Sequence, residues 1–330
     1  MIKCYTYITL ISFLLTAFLA GCSQQLDDEN DGSLQDDQRI AVCAGIGNPS
    51  ITTRLTDYVY TTPSDDHPLD AQVWFSDDAS IFANTGSATS LPRHSEILFK
   101  SGGMTFPVSD VLPYVDAGAT YAVGLWPNTD GWTPNSDCTQ VSHAIDGTED
   151  LMFAPKITAE SGTHFNTGTP LTFGHLLTWL KFRVTALNND AIVAWGKIKS
   201  ITVAGKTSVT ITLNDGSIAY DTPGTISVYS DATGTALTTN SQELGSVFCA
   251  PTDDATYTIT ITSENEMAGK VVTVHLLNMN NESISSNIDA TRGKEFVITL
   301  TFQPFNMIDA IGKSLAGWED ENNQITGSVN

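Results

Sequence analysis

From residue 40 onward the chain alternates apolar and polar residues in short runs. Ser208 to Leu213 sets Val209, Ile211 and Leu213 on one face of an extended strand. Asn214-Asp215-Gly216 then supplies a tight turn, and Ser217 to Tyr220 returns as a hairpin partner. Thr256 to Thr262, Lys270 to Leu276 and Lys294 to Phe302 alternate in the same way. In the first half, Ile40 to Ile46, Ala71 to Phe75 and Thr120 to Trp126 read as strands between long loops rich in Pro, Asp and Gly. No long amphipathic helix is predicted. Many short strands punctuated by turn residues predict an all-β fold of antiparallel sandwiches.

Two stretches break the alternation. Between Pro170 and Leu187, the residues Phe173, Leu176, Leu177 and Leu180 have helical spacing, after which Leu180, Phe182 and Val184 alternate. This predicts a short helical turn running into the first long strand of a second domain. Thr158 to Thr169 is a loop of Thr, Gly, Ser and Asn, so the domain boundary is expected near residue 168, with an N-terminal sandwich over 39–168 and a C-terminal one over 169–330. The second stretch is 303–318. Phe305, Ile308, Ile311 and Leu315 suit a helix there, whereas Gly312 and Gly317 weaken it, leaving strand or loop open.

The N-terminus sets an address. Ile8 to Ala20 is an apolar run of 13 residues following Lys3. A membrane-spanning helix needs about 20 apolar residues, so the run is the core of a signal peptide over residues 1–21. It ends in Leu19-Ala20-Gly21-Cys22, a bacterial lipobox, which predicts cleavage before Cys22 and lipid on that thiol. Residues 22–38 hold six acidic residues (Asp27, Asp28, Glu29, Asp31, Asp36, Asp37) and almost nothing apolar, as expected of a disordered tether. Asp27, Asp31 and Gly32 fall at calcium-loop offsets, but Glu29 and Gln38 stand where that loop wants Asp or Asn and Glu.

The formal charge is −22 for the whole chain and −23 once the signal peptide takes Lys3 away. Phosphate backbones would repel such a protein, so nucleic acid is excluded as a partner. Of five cysteines, Cys4 leaves with the signal and Cys22 is acylated; Cys43, Cys138 and Cys249 are too few and too scattered for a disulfide framework. No Cys/His cluster has zinc spacing, and no metal or other cofactor is expected. The HExxH, GxSxG and phosphate-loop signatures of catalysis are absent. Asp65-Asp66, Asp77-Asp78 and Asp253-Asp254 read as solvated turns, so the chain is not expected to be an enzyme. His175 reads as a packed histidine among Phe173, Leu176 and Trp179, hydrogen-bonded to backbone. Most tryptophans lie in alternating runs and read as core. Trp132, in the polar turn Asn128 to Pro134, stands as the one candidate contact for a glycan or other ligand.

The lipobox, the stretch Thr53-Arg54-Leu55-Thr56-Asp57, the segment Asp150-Leu151-Met152-Phe153-Ala154, the run Leu171-Thr172-Phe173-Gly174-His175-Leu176-Leu177, and the late Trp318 together resemble the fimbrillin family of Bacteroidales-type pili. The resemblance spans nearly the whole chain. It implies two transthyretin-like β-sandwich domains, export as a lipoprotein to the outer membrane, and assembly into a surface fimbrium with other fimbrial subunits. In polymerising members a trypsin-like protease cuts after an arginine, the first strand leaves, and a terminal segment of a neighbouring subunit fills the groove. The matching strand here is Arg39 to Ile46, in which Ile40, Val42, Ala44 and Ile46 alternate, and the matching arginine is Arg54, expected in a Thr-rich polar loop open to proteolysis. A strand lost from a sheet leaves unpaired backbone groups and an apolar slot, and an added strand satisfies both. A surface lipoprotein that binds a host or bacterial glycan or protein and never polymerises is the alternative, and stalk, tip and anchor roles stay open.

Overall fold

The structure, a computed structural model, describes residues 44–46, 53–55, 58–60, 69–77, 93–100, 103–105, 119–159, 170–278, 280–284, 288 and 291–314. The signal peptide, Cys22, the tether, Ile40, Val42 and Trp318 lie outside the described residues. In chain order the first strands are β1 (Ala44–Ile46), β2 (Thr53–Leu55), β3 (Tyr58–Tyr60), β4 (Leu69–Ser76), β5 (Arg93–Lys100) and β6 (Gly103–Thr105). Next come β7 (Thr120–Trp126), β8 (Thr133–Pro134), β9 (Gln140–Ala144), β10 (Met152–Ala159), β11 (Leu171–His175) and β12 (Thr178–Ala186). A short helix, α1 (Asn189–Trp195), leads to β13 (Lys197–Thr212), β14 (Ile218–Ala236), β15 (Gln242–Cys249) and β16 (Thr256–Ser263). The last described strands are β17 (Lys270–Leu277), β18 (Glu295–Gln303) and β19 (Met307–Ser314).

The strands form two large sheets and a small one. The first sheet runs β1-β11-β10-β7-β4-β5-β6, and the second β15-β12-β18-β19-β17-β16-β13-β9-β8, with β14 along the other edge of β13. Among the described residues, β2 and β3 pair only with each other. Most pairs are antiparallel, as expected of short strands joined by turns. Three are parallel: β1 with β11, β12 with β18, and β17 with β19. The sheets are therefore mixed, not wholly antiparallel. Alternation reports which face a residue lies on and carries no information about a neighbour's direction.

Sheet membership does not follow chain order. The β8–β9 hairpin, early in the chain, adds to the second sheet by pairing β9 with β13 from Gln140 to Ala144. The chain leaves the first sheet after His175 and enters the second at Thr178. That crossing explains the helical spacing expected over Phe173 to Leu180. Leu171, Phe173 and His175 alternate as a strand, and so do Leu180, Phe182 and Val184, but His175 to Thr178 are all buried where the backbone changes sheets. Two periods of two joined by this buried step mimic a period of 3.6, and there is a strand where a helical turn was expected. The ambiguous stretch 303–318 resolves, over its described part, into a 3-10 turn at Pro304–Asn306 and strand β19.

Both faces of the first sheet are buried. One face sets Val73, Phe75, Ala122, Ala154, Leu171 and Phe173 in a core of their own. The other carries Trp74, Val123, Leu125 and Phe153 into the larger core built by the second sheet. Gly124 is required at the centre: a Cβ there would sit 2.4 Å from the Phe173 ring and 3.0 Å from Ala154 Cβ. The second sheet curls until its ends meet, since a Cβ on Gly245 of β15 would lie 2.8 Å from the Val228 carbonyl of β14. The predicted hairpin forms as expected, with Val209, Ile211 and Leu213 fully buried and Gly216 turning at φ +73°. Its tip leans on the first sheet: Lys156 of β10 donates to Asn214 Oδ1 at 2.6 Å.

The helix α1 is short but well specified. Asn188 caps it by accepting from the Ala191 amide at 3.0 Å, and Gly196 ends it at φ +66°. Trp195 closes the helix into the core, edge-on to Phe302, with its indole N–H donated to the Gln303 carbonyl.

Candidate functional site: the edge of the first sheet

β1 is the edge strand of the first sheet. Its register sets Ala44 opposite Leu171, Gly45 opposite Thr172 and Ile46 opposite Phe173. On the other side β11 pairs with β10 only at His175 and Gly174, opposite Met152 and Phe153. The two ladders therefore divide β11 between them. Leu171 to Phe173 are paired by β1, and Gly174 and His175 by β10. β10 is irregular here: its ladder with β7, on its other edge, shifts register between Ala154 and Ile157, across Pro155. Proline has no amide to give a ladder. Yet Leu171 and Phe173 are fully buried, so the half of β11 that depends on β1 for its backbone is held by its side chains in the core.

The other half of β11 is clamped. His175 Nδ1 donates to Asp150 Oδ2, Asp150 Oδ1 accepts the Leu151 amide at 2.8 Å, and the Leu176 amide donates to the Leu151 carbonyl at 2.8 Å. Tyr220 of β14 donates its hydroxyl to the Leu176 carbonyl. His175 is buried as expected, and its Nδ1 meets a buried carboxylate, Asp150. Asp150 and His175 stand 25 residues apart. Each lay in a separate motif of the sequence, and their spacing alone could not pair them.

Arg54 lies in the middle of β2, opposite Val59 of β3. It is thus in a two-stranded hairpin apart from the larger sheets, where a polar loop was expected. Trp132 departs from expectation most. It is 5% exposed, packs at 4.7 Å against the His143 ring, and donates its indole N–H to the Pro127 carbonyl at 3.0 Å. The residues around it are polar, but the turn folds the indole inward, and Gly131 lets His143 approach where a Cβ would lie 2.2 Å from Nε2. A ligand cannot reach this ring, and the expected contact at Trp132 is withdrawn.

The remaining titratable groups read as structure. The Thr148 amide and hydroxyl both donate to Asp146 and hold its carboxyl below the usual range, while partial burial pushes Glu149 up. Burial pushes the Cys249 thiol up, so it stays protonated and unreactive. Among the described residues, no three His, Cys, Asp or Glu side chains come together as a metal site.

A family model described as fimbrillin-like matches residues 31–326. No curated protein matches the chain in sequence. Several solved structures are similar in fold. A candidate adhesin from Bacteroides ovatus has a TM-score of 0.51 at 11% identity, over 85% of this chain and 97% of that one. A candidate cell adhesion protein from Bacteroides uniformis ATCC 8492 has a TM-score of 0.49 at 15% identity, over 86% and 99% of the two chains. The fimbrial anchor protein Mfa2 from Porphyromonas gingivalis has a TM-score of 0.45 at 11% identity, over 82% and 94%. At such identities the first of these likenesses speaks for the fold alone.

Proposed function

The chain belongs to the fimbrillin-like family, and from that premise we propose that it is a fimbrial subunit or fimbria-associated adhesin of the cell surface. The observation that carries the reading is the division of β11. β1 is an edge strand, so it can leave without cutting the sheet in two, and among the described residues it alone pairs Leu171 to Phe173. Its departure exposes three residues of unpaired backbone beside a finished core, which is a receptor for another strand. A strand from a neighbouring subunit completes the ladder again.

The route follows from the N-terminus. Lipid on Cys22 carries the chain to the outer membrane, and the acidic tether holds the folded part away from the surface. Cleavage after Arg54 then releases residues 22–54. That piece holds six acidic residues and two arginines, so the formal charge moves from −23 to −19. The cut falls inside β2. A two-stranded sheet of three-residue strands is marginal by itself, so local opening offers Arg54 to a protease. The chain acts by binding and assembly, not by catalysis. The alternative of a non-polymerising ligand-binding lipoprotein is told apart by the fate of residues 40–54, which it keeps.

Mass spectrometry of the mature N-terminus from purified surface material tests the proposal. A chain beginning at Leu55, in ladders that resist mild detergent, is expected. A chain that keeps Ile40 to Ile46 and stays membrane-bound through Cys22 overturns cleavage and strand exchange together.

A further inference from the structure

Among the described residues, the large apolar side chains that stand exposed all lie at one end of the second sheet. Leu187 follows β12, Val193 is on α1 and Met267 is in the turn before β17. Val271 is on β17, Phe305 is in the 3-10 turn and Met307 begins β19. Hydrogen bonds tie these segments together. The Leu187 amide donates to the Phe302 carbonyl, and the Trp195 indole donates to the Gln303 carbonyl, each at 2.8 Å. Asn265, two residues before Met267, donates its side-chain amide to the Val193 carbonyl at 3.0 Å and its backbone amide to the Trp195 carbonyl at 3.3 Å. Met307 stands opposite Gln303 across the β18–β19 ladder. α1 thus closes this end of the sheet, and the six side chains surround the closure.

Phe305 is 90% exposed and left-handed at φ +66°, a conformation uncommon for a bulky residue. Pro304 precedes it, and the Gln303 side chain donates to Asp309 across the base of the turn. The turn therefore stores backbone strain while it holds a phenyl ring in water, a combination that serves contacts outside the chain better than packing within it. Val193 is 77% and Met267 75% exposed. Together the six residues present on the order of 700 Å² of surface, more than the largest patch of an ordinary monomer and close to the area that each partner buries in a standard interface, about 800 Å².

We propose that the α1 end of the second sheet is a self-association surface, covered by the same surface of a second copy in a two-fold pair. Three features select that occupant. The area is what a stable dimer needs on each side. The described residues hold no other group of exposed large apolar side chains, so on a second copy this patch has only itself to meet; such a contact is isologous and closes at two chains. The rim carries both signs. Asp190 stands one helical turn before Val193, Glu264 and Glu266 share the turn of Met267, and Asp309 lies two residues beyond Met307. Among them stand Lys197, whose amide donates to the Glu264 carboxylate at 3.4 Å, and Lys270 beside Val271. A two-fold axis can set the acids of one rim against the bases of the other, whereas a lipid surface favours a basic rim. The contact lies away from the β1–β11 edge and needs neither cleavage at Arg54 nor strand exchange.

Sedimentation velocity of the full chain tests this, run in mild detergent to shield the acyl group expected on Cys22. A monomer passing to a dimer, and no further, is expected at micromolar concentration. Phe305→Asp and Val193→Glu alter exposed side chains and leave the melting temperature unchanged. Each should weaken the dimer about tenfold or more, because a two-fold contact carries every substitution twice, and the two together should leave a monomer at about 100 µM. A chain that stays monomeric at that concentration overturns the proposal, as does a dimer that the double variant leaves intact. Open-ended assembly abolished by the double variant also overturns it, since the contact would then be head-to-tail. So does a monomer whose binding to phosphatidylcholine vesicles the double variant reduces, which assigns the patch to lipid.

Discussion

β11 and β12 are consecutive strands separated by two residues, and they are held in opposite ways. β12 is paired on both sides along nearly its whole length, with β15 from Thr178 to Val184 and with β18 from Trp179 to Ala186. A buried-side ion pair from Lys181 to Glu295 at 2.9 Å adds to the second ladder. β11 has one neighbour at a time. The comparison teaches that redundancy of pairing, more than burial, separates the doubly paired frame from a strand held on one side at a time. Leu171 and Phe173 are as buried as Leu180 and Phe182, yet only the first pair depends on an edge strand for its backbone.

The largest expected effect breaks the frame. Trp195→Ala empties a fully buried site against Phe302 and strands the Gln303 carbonyl; it should cost about 3–5 kcal/mol in urea unfolding, and a loss below 1 kcal/mol would refute the packing described for this end of β18. Gly124→Ala attacks the other side of the comparison. Its methyl group would force the Phe173 ring off the sheet at a cost of about 1–3 kcal/mol, and exchange should quicken at Leu171 to Phe173 before any change in β12. Asp150→Ala removes the carboxylate from His175 and the Leu151 amide. A loss of about 1–3 kcal/mol is expected, with exchange now quickening at Gly174 and His175; equal effects on both halves of β11 would show that the clamp does not divide them.

The smallest effect is electrostatic. Asp146 is held below the usual carboxylate range by the Thr148 amide and hydroxyl. A lowered folded value means that the stabilisation is fully present above the unfolded value, 3.8, and is lost as pH falls through the folded one. Thr148→Val keeps the amide and removes the hydroxyl, so acid unfolding should begin at slightly higher pH, with no change at pH 7 in the pairing of either strand.

Much of the second sheet was legible because its strands bury one face. Thr256 to Ser263 alternates without a break between half-buried and buried, and the hairpin turn at Asn214 to Gly216 falls where the turn chemistry puts it. β14 was legible only at its start. Past Tyr220 it is an exposed edge with Pro223 and Gly224, so no face imposes a period. α1 escaped notice because seven residues are too few for helical periodicity. The site was legible as a strand and an arginine, but not as a division of β11. That division depends on where the β10 ladder with β11 stops, short of Pro155, and a linear pattern cannot report how far a neighbour's ladder extends. Trp132 misled for a related reason: the polarity of its neighbours said nothing about where the turn would point its ring.

The end of β19 has one more consequence. Ser314 stands opposite Phe296, and Phe296 opposite Leu180. The point where the chain finishes β19 is thus about 10 Å, two strand spacings, from where it began β12. As wiring, the stretch from β12 to β19 is a circuit whose two leads share one terminal block, with the β8–β9 hairpin clipped on from outside it. A short linker can close the two leads without stretching anything between them.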